Sequence, residues 1–242
     1  MTKKIALVTG ATRGIGLETV RQLAAHDVHV ILAGRDRAKA EAAAKKLRDE
    51  KYDDVEAISL DVTDTKSIAA AAEEVKARHG HLDILINNAG VLFDDQGKKP
   101  SEQSSETWRK TFETNVFGLV ETTKAFLPLI RKSPAGRIVN VSSGLGSLTM
   151  HSDPTSPIYN YKIPAYDVSK SAVNAWTVHL AWELKDTAIK VNTIHPGSVK
   201  TDMNSAGDLD VEEGAKSSVE LALIGKDGPN GSFSHLGQTL PW

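Results

Sequence analysis

Short apolar runs alternate with longer stretches of helical period along this chain. The runs "IALVT" (5–9), "VHVILA" (28–33), "VEAISL" (55–60), "LDILIN" (82–87), "GRIVNVS" (136–142) and "IKVNTI" (189–194) predict six strands. Most are too continuously apolar for a sheet with one wet face, so both faces should be covered. Between them the spacing predicts helices over 14–25, 37–49, 64–78, 103–131, 165–185 and 211–224. In 103–131, Trp108, Phe112, Val116, Leu119, Thr123, Leu127 and Ile130 step by three or four, and Thr63 or Asp64 is placed to cap the third helix. Such alternation predicts a single α/β domain over 1–242, a doubly wound parallel sheet with helices on both faces. No repeat, low-complexity tract or shift in composition divides it. Two stretches, 93–106 and 144–164, break the alternation with Ser, Asp, Gly and Pro. Both follow predicted strands, where ligands lie in open α/β sheets, so with 197–212 they are expected to wall a substrate site.

Composition then removes whole classes. With 40% hydrophobic and 25% charged residues the chain can bury a large core, and a formal charge of −2 lacks the basic footprint of a nucleic-acid binder. No cysteine is present, which excludes disulfides and thiolate metal sites and fits a reducing compartment. The eight histidines are scattered without paired ligand spacing, so no metal site is expected. The opening "MTKKIALVTG" holds an apolar run too short for a secretory signal, and no later run approaches membrane-spanning length. A cytoplasmic protein without membrane or nucleic-acid partners is the expectation.

The first strand runs into "VTGATRGIG" (8–16), which sets Gly10, Gly14 and Gly16 ahead of the first helix. Glycines there permit a tight turn and close approach of a pyrophosphate, and the helix N-terminus offers N–H donors with partial positive charge. This points to a Rossmann-type dinucleotide fold. The second strand ends "ILAGRD". An Asp or Glu at that point accepts from the adenosine ribose, whereas here Gly34 and Arg35 stand there. A guanidinium pairs instead with a 2′-phosphate, and Arg13 is a second cation in reach, so NADP(H) is expected over NAD(H). One residue of strand overrun would bring Asp36 to the ribose and reverse that preference.

Four motifs, "TGATRGIG" (9–16), "NNAG" (87–90), Ser143 of "IVNVSS" and "YDVSK" (166–170), followed by "HPGSVKTDM" (195–203), resemble the short-chain dehydrogenase/reductase family in content and order. The wording of "YDVSK" and "PGSVKTDM" and the ending "GPNGSF…PW" are similar to its carbonyl reductase branch, while the glycine-rich C-terminal signature usual in the family is absent. The resemblance implies cofactor contacts from Gly10, Thr12, Arg13, Gly14, Ile15 and Gly16. It adds an adenine-contacting pair in Asp61 and Val62, and a backbone wall at Asn88, Ala89 and Gly90. A nicotinamide turn at Pro196, Val199 and Thr201 follows, along with contacts from Tyr166 and Lys170. It also assigns Asn115 to a water-linked proton relay from Lys170; from the sequence alone Asn115 is a helix Asn with satisfied hydrogen bonds. Asn87 is expected to stabilise its strand.

Three of the four tyrosines fall at 159, 161 and 166. Only Tyr166 has a lysine four residues on, so Tyr166 and Lys170 share a helix face, and an ammonium beside a phenol lowers its pKa from about 10. Ser143 follows the fifth strand and can donate to a carbonyl oxygen; Ser142 is the local alternative, and the family pattern matches Ser143. Together these imply NADPH-dependent reduction of a carbonyl, with Tyr166 as proton donor and Asn115, Ser143, Tyr166 and Lys170 as catalytic set. A non-catalytic NADP(H) sensor, or an epimerase or dehydratase on the same fold, is the alternative. His195 has no carboxylate at local spacing and reads as structural; His151, Tyr159 and Tyr161 stay open as substrate-side residues. Ser143 and Tyr166 are farther apart than is usual in the family, so the chain is expected to be a monomer or to self-associate through 103–131 and 165–185.

Overall fold

The computed structural model describes residues 3–242. Strands β1 (Ile5–Val8), β2 (His29–Gly34), β3 (Val55–Ser59), β4 (Ile84–Asn87), β5 (Arg137–Val141) and β6 (Lys190–Ile194) form where the apolar runs place them. Two short strands the sequence did not reveal, β7 (Phe233–His235) and β8 (Gln238–Thr239), extend the sheet, whose order is β3-β2-β1-β4-β5-β6-β7-β8. All neighbours are parallel except β7 and β8. The helices are α1 (Gly14–Ala25), α2 (Arg37–Asp49), α3 (Thr65–His79), α4 (Ser105–Phe112), α5 (Leu119–Ile130), α6 (Leu148–Ser152), α7 (Pro164–Glu183) and α8 (Val211–Leu223). Among the described residues no helix is long and apolar enough to cross a membrane.

The period-two geometry of β1 divides the core. Ala6 and Val8 join Val20, Leu23, Leu47 and Val219 under α1, α2 and α8, while Ile5 and Leu7 join Ile68, Val75, Phe126 and Leu180 under α3, α5 and α7. Both faces are therefore dry, as continuous apolar strands require. Asp64, one of the two candidate caps, accepts from Lys66 N at the start of α3.

The helix expected over 103–131 is instead three segments: α4, a π-helical stretch Glu113–Gly118, and α5. Of the expected apolar stripe, Leu119, Thr123 and Ile130 are buried, but the inner face is broader and shifted at the other positions. Trp108, Phe112, Val116 and Leu127 are half-buried, whereas Thr111, Asn115, Gly118, Thr122, Phe126 and Leu129 are buried. A stripe chosen mainly by apolarity does not anticipate Thr111, Asn115 and Thr122 on the inner face.

Behind the carboxyl edge of the sheet those polar groups form a buried ladder. Asn87 Nδ2 donates to Thr123 Oγ1 and to Asn140 Oδ1, both at 2.9 Å, and Asn140 Nδ2 donates to Thr177 Oγ1 at 2.9 Å. This chain of bonds joins α5, β4, β5 and α7 and gives Asn87 its strand-stabilising place. Replacing Asn140 by Ala takes one buried hydrogen bond from Asn87 and one from Thr177 and leaves a cavity between them, so Asn140→Ala is expected to lower the unfolding free energy by about 2–4 kcal/mol in urea titration.

Candidate active site

The β1–α1 turn is shaped by glycine. Gly10 (φ +62°) and Gly14 (φ +57°) adopt left-handed backbone, and a Cβ on Gly10 would come within 2.8 Å of Ala89 Cα. Arg13 caps α1 through extended backbone with no side-chain cap bond, leaving the first N–H groups of the helix to an anion. Thr12 lies against the end of β2, where a Cβ on Gly34 would meet its Cγ2 at 2.4 Å, and Ile15 is half-buried in the first turn. The side chain of Asn88 bonds Thr9 O and Gly10 O at 2.8 and 3.2 Å, while Asn88 N and Ala89 N both donate to Thr9 Oγ1 at 3.0 Å. The end of β4 is thus fastened to the glycine turn, and Gly16 packs beneath it.

The two cations expected near the ribose part company. Arg35 is exposed at the end of β2, but Arg13 Nη1 pairs with Asp202 at 2.7 Å, turning across to the 197–212 loop. Asp36 caps α2, its Oδ1 accepting Lys39 N at 3.1 Å. Asp61 Oδ1 accepts from the Thr63 backbone and hydroxyl, which fixes the turn carrying Val62. On the opposite side, Thr201 Cγ2 would lie 3.8 Å from a Cβ on Gly14; Val199 is buried and Pro196 half-buried in the turn after β6.

Ser143, Tyr166, Lys170 and Asn115 converge at the carboxyl edge of β4 and β5. The Ser143 hydroxyl lies near enough to the Tyr166 phenol to draw its pKa down, and it also accepts Leu145 N at 3.2 Å. Ser142 is committed elsewhere, donating to Lys170 O at 3.2 Å, which separates the two serines the sequence left side by side. Lys170 Nζ donates to Val141 O at 2.8 Å and stands 5.5 Å from the centre of the Tyr166 ring. Asn115 is buried and its amide is fully engaged: Oδ1 accepts Val91 N at 2.8 Å, and Nδ2 donates to Val91 O at 2.9 Å and Ser169 Oγ at 3.0 Å. A Cβ on Gly90 would lie 3.6 Å from both Asn115 Oδ1 and Lys170 Nζ.

Burial dominates the electrostatics. Tyr166 as a residue is only half-buried, yet protein crowds its phenol enough to push it up to about 12; the nearby Ser143 hydroxyl pulls it down, and Asp167 and Tyr161 add to the rise. Lys170 is brought down to about 8 by burial. The lowering of the phenol expected from a lysine one turn away is not seen: burial sets the direction, and the site rests with phenol protonated. Burial, then His235, lowers His195 to about 4, so it is a neutral packed imidazole. His151 Nε2 bonds Leu145 O at 2.9 Å and Nδ1 meets Lys162 Nζ at 2.9 Å, holding the loop ahead of α7. Tyr161 lies close enough to perturb the Tyr166 phenol; Tyr159 is exposed beneath Lys162.

Two carboxylates absent from the sequence reading hold the start of α7. Buried Asp94 accepts Ala165 N at 2.8 Å and Tyr166 N at 3.0 Å. Buried Asp167 accepts Ile163 N at 3.0 Å through Oδ2, while its Oδ1 has no partner. Only the helix-start position of "IPAYD" hints at Asp167, and nothing local marks Asp94, 71 residues from Ala165. A groove of about 740 Å³ between α1 and α8, lined by Glu18, Arg21, His26 and Lys216, includes none of the predicted site residues.

The short chain dehydrogenase family profile matches residues 4–211. A short-chain dehydrogenase, anuI, of Penicillium roqueforti is 40% identical, with 93% of this chain and 90% of the relative covered. The (+)-neomenthol dehydrogenase of Arabidopsis thaliana is 35% identical over 96% of each chain. The NADPH-bound carbonyl reductase from chicken fatty liver superposes with a TM-score of 0.86 at 28% identity, covering 100% of both chains.

Burial, then repulsion from Asp94, raises Asp167 to about 7 from 3.8, against the Ile163 N–H and Lys162, which lower it. The folded chain keeps a proton that the unfolded chain has released between these values, so this group's contribution is full below about pH 4 and is lost as pH rises through about 7. Asp167→Asn removes that dependence. The variant's stability relative to the parent is expected to rise by on the order of 2–4 kcal/mol from about pH 4 to about pH 8, followed by denaturant melts across that range.

Proposed function

The chain belongs to the short-chain dehydrogenase family and is an oxidoreductase, and we propose that it reduces the carbonyl group of a ketone, aldehyde or quinone to the alcohol with NADPH. The observation that carries this reading is the convergence of Ser143 and the Tyr166 phenol with buried Lys170, its Nζ 5.5 Å from the centre of the phenol ring. The residues present fit the cofactor. The open N-terminus of α1 and the left-handed Gly10 and Gly14 suit a pyrophosphate, and Gly90 leaves room beside Lys170 Nζ. Asp61 and Val62 would border the adenine; Asn88, Ala89 and Gly90 the ribose; Pro196, Val199 and Thr201 the nicotinamide. Exposed Arg35 would take the 2′-phosphate, and Asp36, engaged in capping α2, does not compete for ribose hydroxyls. Arg13 could join Arg35 only by leaving Asp202. NADPH, when bound, supplies the hydride.

The chain's own groups manage oxygen and proton. Ser143 Oγ and the Tyr166 hydroxyl both donate toward the substrate oxygen and stabilise the charge that grows there. Tyr166 then gives up its proton, which its raised pKa keeps available at neutral pH. The phenolate left behind is stabilised by the Lys170 ammonium, whose bond to a carbonyl rather than a carboxylate leaves its charge unneutralised. Asn115 keeps the 90–91 backbone and Ser169 fixed around Lys170 while the proton is replaced. Exposed Phe93, Leu148 and Met203 on the surrounding loops favour an apolar substrate.

A panel of small ketones, aldehydes and quinones with NADPH and NADH tests the reading, and no turnover of any of them would sink it. For a substrate found there, Tyr166→Phe is expected to lower kcat by about 10²–10⁴-fold while NADPH binding, followed by nucleotide fluorescence, stays near the parent's. Arg35→Ala is expected to cut the preference for NADPH over NADH by about tenfold or more, and an unchanged ratio would remove Arg35 from the 2′-phosphate site.

A further inference from the structure

At the amino edge of the sheet, opposite the site described above, three side chains meet that the proposed reaction does not use. His29 opens β2, Glu56 lies on the edge strand β3, and His79 ends α3. Glu56 and the partner of Ile31 are one and the same, so Glu56 shares a sheet face with His29 two residues away, and α3 brings His79 over them. One ligand atom from each of the three lies within 4.8 Å of the others, a meeting that among the described residues occurs for this trio. His79 Nε2 is 2.6 Å from Glu56 Oε1, and His29 Nε2 is 3.4 Å from the same oxygen.

An ordinary imidazole–carboxylate hydrogen bond accounts for His79 and Glu56 but leaves His29 unexplained. Its Nε2 is buried, points at an oxygen already engaged, and has no hydrogen-bond partner. Buried polar atoms rarely stay unsatisfied without a reason. The far oxygen, Glu56 Oε2, is held by Arg78 at 3.1 Å, which turns Oε1 toward the two imidazoles. Glu74 pairs with Arg78 and Arg37, and Glu41 pairs with Arg37 as well, so the two guanidinium charges beside the trio are offset by two carboxylates.

We propose that His29, Glu56 and His79 bind a borderline divalent transition ion, zinc in the first instance, through His29 Nε2, His79 Nε2 and Glu56 Oε1. Two imidazoles with a single carboxylate suit zinc and its neighbours and are too few oxygens for calcium or magnesium. Ligand atoms around a tetrahedral zinc with bonds of about 2.0–2.1 Å stand about 3.4 Å apart. The His29–Glu56 pair already has that spacing, and the His79–Glu56 pair opens by under ~1 Å to reach it. Each imidazole then offers its Nε2 lone pair and carries its proton on Nδ1, with the ion replacing the proton shared between His79 and Glu56 and water completing the shell. Bound there, the ion clamps the outermost strand of the sheet to its neighbour and to the end of α3. The histidines are 27 and 23 residues from the glutamate in sequence, which is why no ligand spacing is visible along the chain.

The test is calorimetric titration of chelator-stripped full-length chain with ZnCl2, with MgCl2 in parallel. Uptake of one zinc per chain, absent with magnesium, and a rise in melting temperature of roughly 5 °C at saturation are expected. His29→Asn and His79→Gln are each expected to weaken zinc at least tenfold, and Glu56→Gln likewise, with melting in chelator showing which variants fold. Should the histidine variants prove unfolded, zinc-induced shifts of the His29 and His79 ring resonances in the parent protein decide the matter. No saturable uptake, or uptake unchanged in a folded His29→Asn/His79→Gln chain, as would follow from ions at His195 and His235 instead, overturns the proposal.

Discussion

The geometry of the candidate site depends on one buried bond, from Lys170 Nζ to the Val141 carbonyl at 2.8 Å. It crosses from α7 to the end of β5, two residues before Ser143. The Ser142 hydroxyl returns the connection by donating to Lys170 O, and a Cβ on Gly146 would meet the Lys170 carbonyl carbon at 2.8 Å. With strand end and helix pressed together at these points, the distance between Ser143 and Tyr166 is set by packing and not by the loop that joins them. That loop is therefore free to be long. Residues 144–163 can carry α6, His151 and two tyrosines without disturbing the pair of hydroxyls, because the pair is held from behind.

The partner chosen for Lys170 has a chemical consequence. A carboxylate within contact distance would hold the ammonium charged but cancel its field, and truncating such a pair would leave an uncompensated buried charge. A carbonyl dipole satisfies one N–H and leaves the net charge intact. Burial lowers Lys170 only to about 8, so the ammonium persists at neutral pH while the phenol, raised to about 12, keeps its proton. Both groups are thus protonated at neutral pH, one charged and one neutral, which suits donation, the sense of reaction the proposed function requires. Asp94 and Asp167 work at the same helix end from the other direction. They satisfy the N–H groups of Ile163, Ala165 and Tyr166, and Asp94 joins the 93–106 loop to the backbone of Tyr166 itself. A loop expected only to wall the substrate is mechanically part of the residue that donates the proton in that proposal.

What could be read along the chain was whatever repeats within a few residues. Six strands, the glycine turn before α1 and the Tyr166–Lys170 spacing are local, and local physics places them. The strands β7 and β8 are too short and polar to announce themselves; β7 is recruited by pairing Phe233 with Thr193 across the edge of β6. The π-helical stretch 113–118 and the shifted inner face of 105–130 follow from contacts to Val62, Val91 and Ser169, none of which lies within the helix. Arg13 shows the same limit in reverse. Its place in the glycine turn suggested a phosphate, while its observed partner is Asp202, 189 residues away.

The proposed preference for NADPH turns on the same competition between local and distant partners. Asp36 follows β2 by two residues and Arg35 by one, and either could face an adenosine ribose. Helix capping decides between them. The first N–H groups of α2 need an acceptor, Asp36 is the residue in extended backbone immediately before Arg37, and its Oδ1 takes Lys39 N. A carboxylate so engaged has its orientation fixed by the helix it starts, and its charge also favours the positive end of that helix. Arg35 has no such obligation and remains exposed at the strand end. The sequence already favours Arg35, with Asp36 as its competitor; the helix beginning at 37 engages the acid, which supports the proposed place of Arg35 beside the 2′-phosphate.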